Sequence, residues 1–191
     1  MPTFQKLIAN RLSPHFREVA EIVTDEIPAP GPGQLLVRNR YAGVNATDVN
    51  IAAGRYSATP TLPMDLGAEA VGVVEALGDG VDGFEVGQAV GTMGLGGGYR
   101  EVQVVDARYA VPLPEASPEM VSLFVSGLTA SIALDVTGQM ASGETVLVTA
   151  AAGGTGQYAV QLAKRAGARV FGTCGGADKA ERTTAQNAWK T

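Results

Sequence analysis

The chain has 191 residues, with 14 Lys and Arg against 19 Asp and Glu, a formal net charge of −5, 46% apolar residues and 17% charged ones. This is the make-up of a soluble globular protein, one ample domain or one small domain and part of another, and no basic block invites nucleic acid or anionic lipid. A single cysteine, Cys174, and a single histidine, His15, exclude an intrachain disulfide and a metal site built from His and Cys ligands.

Residues 1–20 carry no long apolar core behind a basic start, and no run of about 20 apolar residues is evident elsewhere. The expectation is neither secretion nor a membrane span, and a reducing, cytoplasmic setting. Up to about residue 115 the pattern is one of short extended segments broken by Gly and Pro. Residues 4–12, 17–27, 33–44, 67–78, 87–93 and 99–114 read as strands of a compact β domain. One helix is expected within 45–54, where Asn45 or Thr47 caps and Gly54 stops it.

The pattern changes at SPEMVSLFVSGLTASIALDV, residues 117–136. Ser117 as cap, Pro118 at the first helical position and Glu119 beside it start a helix, which Gly127 divides into two. After a turn, Val146–Ala150 is a nearly all-apolar strand of the kind buried in a parallel sheet. A helix follows over Thr155–Ala166, with Ala159, Leu162, Ala163 and Ala166 on one face, Lys164 and Arg165 in the last turn and Gly167 as its stop. Arg169–Cys174 is the second strand of this βαβ unit. The tail, residues 177–191, has lost apolar periodicity and is expected to be a poorly anchored weak helix or coil.

Gly153, Gly154 and Gly156 occupy the strand-to-helix turn, where residues without Cβ let backbone N–H groups approach a diphosphate at the positive end of a helix. The alternative, a turn that only packs helix against strand, suits a bare glycine trio. The strand before it, the patterned helix after it and the second strand at the right distance favour dinucleotide binding. An NAD-selective site places an acid about 20 residues beyond the glycines. Here VFGTCGG has none, and Lys179 lies just beyond it as a counter-charge for a 2′-phosphate, which favours NADPH. Against this, Asp178 can blunt Lys179, which then is a solvated helix-start lysine.

Four segments in this order, GVNATDVNIAAGRY, GAEAVGVVEALG, VSGLTA and VLVTAAAGGTGQYAVQLAK, resemble the zinc-independent medium-chain reductases of the quinone oxidoreductase type. Within that group the likeness is to the prostaglandin reductase 3 subgroup, from about Gln5 to Lys179. The resemblance implies an α/β chain: a GroES-like catalytic domain over 1–125, then an incomplete Rossmann dinucleotide-binding domain over 126–191. It implies NADPH as hydride donor and enones, such as 15-oxoprostaglandins, or quinones as acceptors. The resemblance also implies a homo-oligomeric parent, with a peroxisomal location left open for it. Zinc-dependent relatives offer Cys and His where this chain has Asn45 and Ala68, so no metal is expected.

Carried over by motif, Asn45 lies near the nicotinamide ribose and Tyr56 lines the substrate cleft, the two candidate catalytic residues. Ser126, Gly127 and Thr129 face the nicotinamide, Thr155 the diphosphate, and Gly175 and Lys179 the adenosine 2′-phosphate. Against these roles, Asn45 serves as a helix cap and Tyr56 as a wall residue. Two departures stand out: Gly175 and Gly176 replace a small hydroxyl residue, and Arg100 stands where a small residue is usual, which alters packing of its strand. Cys174 is expected to be a small buried hydrophobe, and His15 a surface residue.

A dinucleotide domain normally has about six parallel strands in two halves, and this chain supplies two. The expectation is therefore a truncated product whose own activity is in doubt. The competing reading is a non-catalytic remnant that acts as an interaction protein through an exposed sheet edge.

Overall fold

The computed structural model describes residues 1–57 and 59–185. Contacts divide the chain into two compact units, Met1–Val121 and Ser122–Thr191.

The first unit contains two antiparallel sheets. In the smaller, β1 (Thr3–Ala9) lies between β2 (Ala20–Glu26) and the two-residue β4 (Met64–Asp65). In the larger, the order is β7 (Val102–Asp106), β3 (Gln34–Ala42), β5 (Glu69–Leu77), β6 (Ala89–Met93), β8 (Ala110–Pro112). Two short helices, α1 (Phe16–Val19) and α2 (Ala46–Ala52), complete it.

The contiguous run Leu35-Leu36-Val37 of β3 is apolar because both faces of that strand are covered. Leu35 and Val37 pack with Val74 and Val90, while Leu36 packs with Phe4 and Val102 on the other side. The larger sheet also curls. Three strand spacings separate β7 from β6, about 14 Å if flat, yet the Gln103 amide of β7 donates to Thr92 Oγ1 of β6 at 2.8 Å. It donates to Asn39 Oδ1 of the intervening β3 at 2.8 Å as well. This buried polar chain crosses the hollow of the curl.

Three details depart from the sequence expectation. The segment 17–27 begins as α1 before it becomes β2, and 99–114 holds two strands, β7 and β8, because a one-turn helix at Ala107–Tyr109, capped by Asp106, separates them and the chain passes from one edge of the larger sheet to the other. The strand β4 has too few residues to leave a period.

The second unit begins within α3 (Pro118–Thr137), one helix that Gly127 does not divide. Its hydrogen bonding widens to the π pattern over Leu123–Leu128 and again over Ile132–Thr137, which absorbs the irregularity a break would otherwise relieve. By length and composition this helix is able to cross a membrane, a property not expected from the sequence. Within the unit it packs on α4 (Gly154–Arg165), with the hydroxyls of Ser122 and Tyr158 hydrogen-bonded at 2.5 Å.

Strands β9 (Thr145–Val148) and β10 (Arg169–Gly172) pair in parallel on either side of α4, from Arg169 opposite Thr145 to Gly172 opposite Val148. Val146, Val148 and Val170 pack with Ala151, Ala159 and Val160, the face offered to α4. On the opposite face the paired residues Leu147 and Phe171 remain 65% and 46% exposed. A further helix, α5 (Ala177–Ala185), occupies most of the expected weak tail, and residues 186–191 of that expectation lie outside the described residues.

Candidate functional site

In the first unit the polar residues gather around the start of α2. Asn45 is its N-cap, and the backbone N–H of Asn45 donates to Asp48 Oδ2 at 2.8 Å. Asp48 is only 2% exposed, yet its carboxylate is well supplied with donors. It also accepts from the Ala68 N–H at 2.8 Å and the Tyr99 hydroxyl at 2.7 Å. Burial raises the Tyr99 phenol well above its ordinary value, helped by this hydrogen bond and by the nearby Glu69 charge, so Tyr99 is a fixed donor at neutral pH.

The Asn45 amide donates to Glu69 Oε1 at 2.7 Å. Glu69 fits because Gly43 has no side chain: a Cβ there would lie 2.0 Å from the Glu69 carboxylate. Asn45 thus has a structural duty, capping α2 and holding Glu69. Tyr56 stands beyond the other end of α2, 52% exposed on the loop after Gly54, so the two candidates flank about 10 Å of helix.

A cavity of about 520 Å³ opens beside this cluster, with Glu69, Thr92, Arg100 and Gln103 among its polar lining. Arg100, expected to disturb strand packing, is accommodated by an ion pair with Asp65, which Lys6 also approaches at 3.5 Å. Among the described residues no group of three His, Cys, Asp or Glu could hold a metal ion. Both buried carboxylates, Asp48 and Glu69, are already engaged, and the residues present do not fit zinc.

In the second unit the cofactor-binding candidates group around the C-terminal ends of the parallel strands. Gly153 caps α4, and Gly154, Thr155 and Gly156 form its first turn, whose N–H groups have no acceptor within the helix. All four line one cleft of about 470 Å³ with residues of β9 and α3. A Cβ on Gly156 would lie 2.4 Å from the Ala150 carbonyl oxygen, so this glycine sets close helix-to-strand packing. One on Gly154 would lie 2.8 Å from Ser126 Oγ. Ser126 belongs to the π-helical turn of α3 and lines a neighbouring recess with Gly154, Gln157 and Tyr158. Thr129, on the next turn, is exposed.

Gly175 and Lys179 lie past the end of β10, Gly175 in open space and Lys179 exposed on α5. Cys174 is exposed rather than buried, because β10 ends at Gly172 and leaves it on the following loop. The amides of the glycine turn are suited to a diphosphate, while neither Gly175 nor Lys179 is among the residues that line their cleft.

The sequence reading passed over Asp48, Tyr99 and Gln103. For Asp48 a signal existed: an acid three residues after the cap Asn45 marks a reciprocal cap. Tyr99 and Gln103 gain their meaning only from contacts with distant segments.

A curled β domain followed by a glycine-turn βαβ unit is the architecture with which proteins of the alcohol dehydrogenase class begin. The alcohol dehydrogenase GroES-like domain family matches residues 31–115. The NADPH-complexed quinone oxidoreductase of Escherichia coli is similar with a TM-score of 0.83 and 34% identity, over 97% of this chain and 57% of that one. A cobalt- and zinc-bound thermostable alcohol dehydrogenase from Pyrobaculum aerophilum is similar with a TM-score of 0.87 and 30% identity, over 98% and 64%. Along nearly its whole length the chain is similar in sequence and fold to medium-chain dehydrogenases/reductases of the quinone oxidoreductase group. In particular it is 53% identical over 177 residues to prostaglandin reductase-3 of Bos taurus, over 92% of this chain and 47% of that protein. It spans about half the length of the curated relatives it matches.

Proposed function

We propose that this chain carries the catalytic domain, and the diphosphate and adenosine side of the cofactor domain, of an NADPH-dependent reductase of enones or quinones. Its partners in this reading are the cofactor and a small carbonyl compound, with no nucleic acid and no membrane, in the cytoplasm. The observation that carries it is the glycine cradle, whose Gly153–Gly156 stretch lines one cleft at the mouth of α4.

When bound, the cofactor supplies a hydride for the β-carbon of an enone, and the electron pair displaced from the alkene moves to the carbonyl oxygen before the α-carbon takes a proton. The chain's own task is to offer donors to that oxygen. With no residue set among those described that suits zinc, the task is assigned to the second N–H of the Asn45 amide and to the Tyr56 hydroxyl. The amides of Gly154, Thr155 and Gly156 hold the diphosphate, Ser126 and Thr129 the nicotinamide side, and Gly175 and Lys179 the 2′-phosphate.

The test is a fluorescence titration of the purified chain with NADPH and NADH, followed by an enone. Saturable quenching by NADPH, weakened about tenfold in Lys179→Ala while NADH is unaffected, is expected. Absence of quenching by either nucleotide overturns the reading for this polypeptide. It would favour the interaction-protein alternative, which the outward-facing Leu147 and Phe171 support.

A further inference from the structure

Arg100 has one commitment and one atom to spare. Its side chain is 15% exposed and its Nη2 pairs with Asp65. Its Nε is the one buried side-chain polar atom among the described residues that has no hydrogen-bond partner. A donor so placed is costly unless something accepts from it.

The surroundings say what that acceptor is. Arg100 lines the 520 Å³ cavity, and the space a side chain would occupy at Gly97 has Arg100 Nε at 3.9 Å and Gln103 Oε1 at 3.8 Å. Gly97, at φ 96°, is held in a conformation that disfavours a side chain, so this space stays clear. The Gln103 amide nitrogen is taken by Asn39 and Thr92, which fixes its oxygen as the end left facing the cavity. The charged groups in the lining are Asp65, Glu69 and Arg100, two anions against one cation. An anionic ligand is therefore disfavoured. Met64, Met93, Leu95 and Val104 complete the lining with apolar surface.

We propose that this cavity is a binding site for a neutral carbonyl compound of flat, apolar body, whose oxygen accepts a hydrogen bond from Arg100 Nε. Polarised C–H groups beside that carbonyl face Gln103 Oε1. This deepens the reductase reading, on which it rests, by assigning Arg100 as a specificity-determining residue for quinone-like acceptors over carboxylates.

The experiment uses the whole chain without cofactor. Calorimetric titrations compare 2,3-dimethyl-1,4-naphthoquinone, blocked at both alkene carbons so that it cannot alkylate Cys174, with 2,3-dimethylnaphthalene, the same body without oxygens. The quinone is expected to bind about tenfold more tightly. In Arg100→Lys, which keeps a cation for Asp65 and lacks the Nε donor, that preference is expected to vanish while the melting temperature stays near that of the native chain. Failure of the native chain to bind the quinone, equal binding of the two compounds, or an undiminished preference in Arg100→Lys overturns the proposal. Since NADPH binding is read in a separate titration, failure here is distinct from failure of the cofactor reading.

Discussion

Asp48 shows how much one side chain can fix. Its carboxylate gathers three donors, from Asn45, Ala68 and Tyr99, out of three separate segments. Removing the acceptor leaves all three without it, whereas removing one donor leaves the other two bonds intact. Asp48→Ala is therefore expected to cost about 3–5 kcal/mol, and Tyr99→Phe about 1–3 kcal/mol. Urea unfolding of the two variants checks the order, and a larger loss for Tyr99→Phe would contradict this account. The sequence announced Asp48 through its spacing from Asn45. It could not announce Arg100 and Asp65, whose pairing depends on a strand crossing that no local pattern encodes.

Among the elements, the βαβ unit was the most legible, since alternation, helical spacing and glycine punctuation coincide there. Its strands nevertheless stop short of the expected ends, at Val148 and Gly172, because the ladder between them runs only from Thr145 and Arg169 to those residues. Past β9 the chain turns through Ala150, at φ 50°, a left-handed conformation unusual for alanine. The turn needs it: the Ala150 carbonyl accepts from the Gly153 N–H at 2.8 Å. Ala150→Gly should relieve the strain and raise stability by about 0.5–1 kcal/mol, read as a higher urea midpoint at unchanged slope. A lower midpoint would mean that the entropy lost by glycine outweighs the strain. By contrast, α3 does not read as one helix, because a glycine that breaks a helix and one that sits in a widened turn look alike in sequence.

At the scale of the molecule, the two units differ in how their strands are flanked. In the first, β3 is hydrogen-bonded on both edges, to β5 and to β7. In the second, β9 and β10 pair only with each other among the described residues, so alternate N–H groups on their outer edges point away from the ladder. Deuterium uptake should record this difference directly. Amides of Leu35 to Arg38 are expected to be the last to take up label, while every second amide in Thr145–Val148 and Arg169–Gly172 fills early, giving a half-labelled plateau. Uniformly slow uptake across β9 and β10 would reveal that in solution another backbone has joined the ribbon.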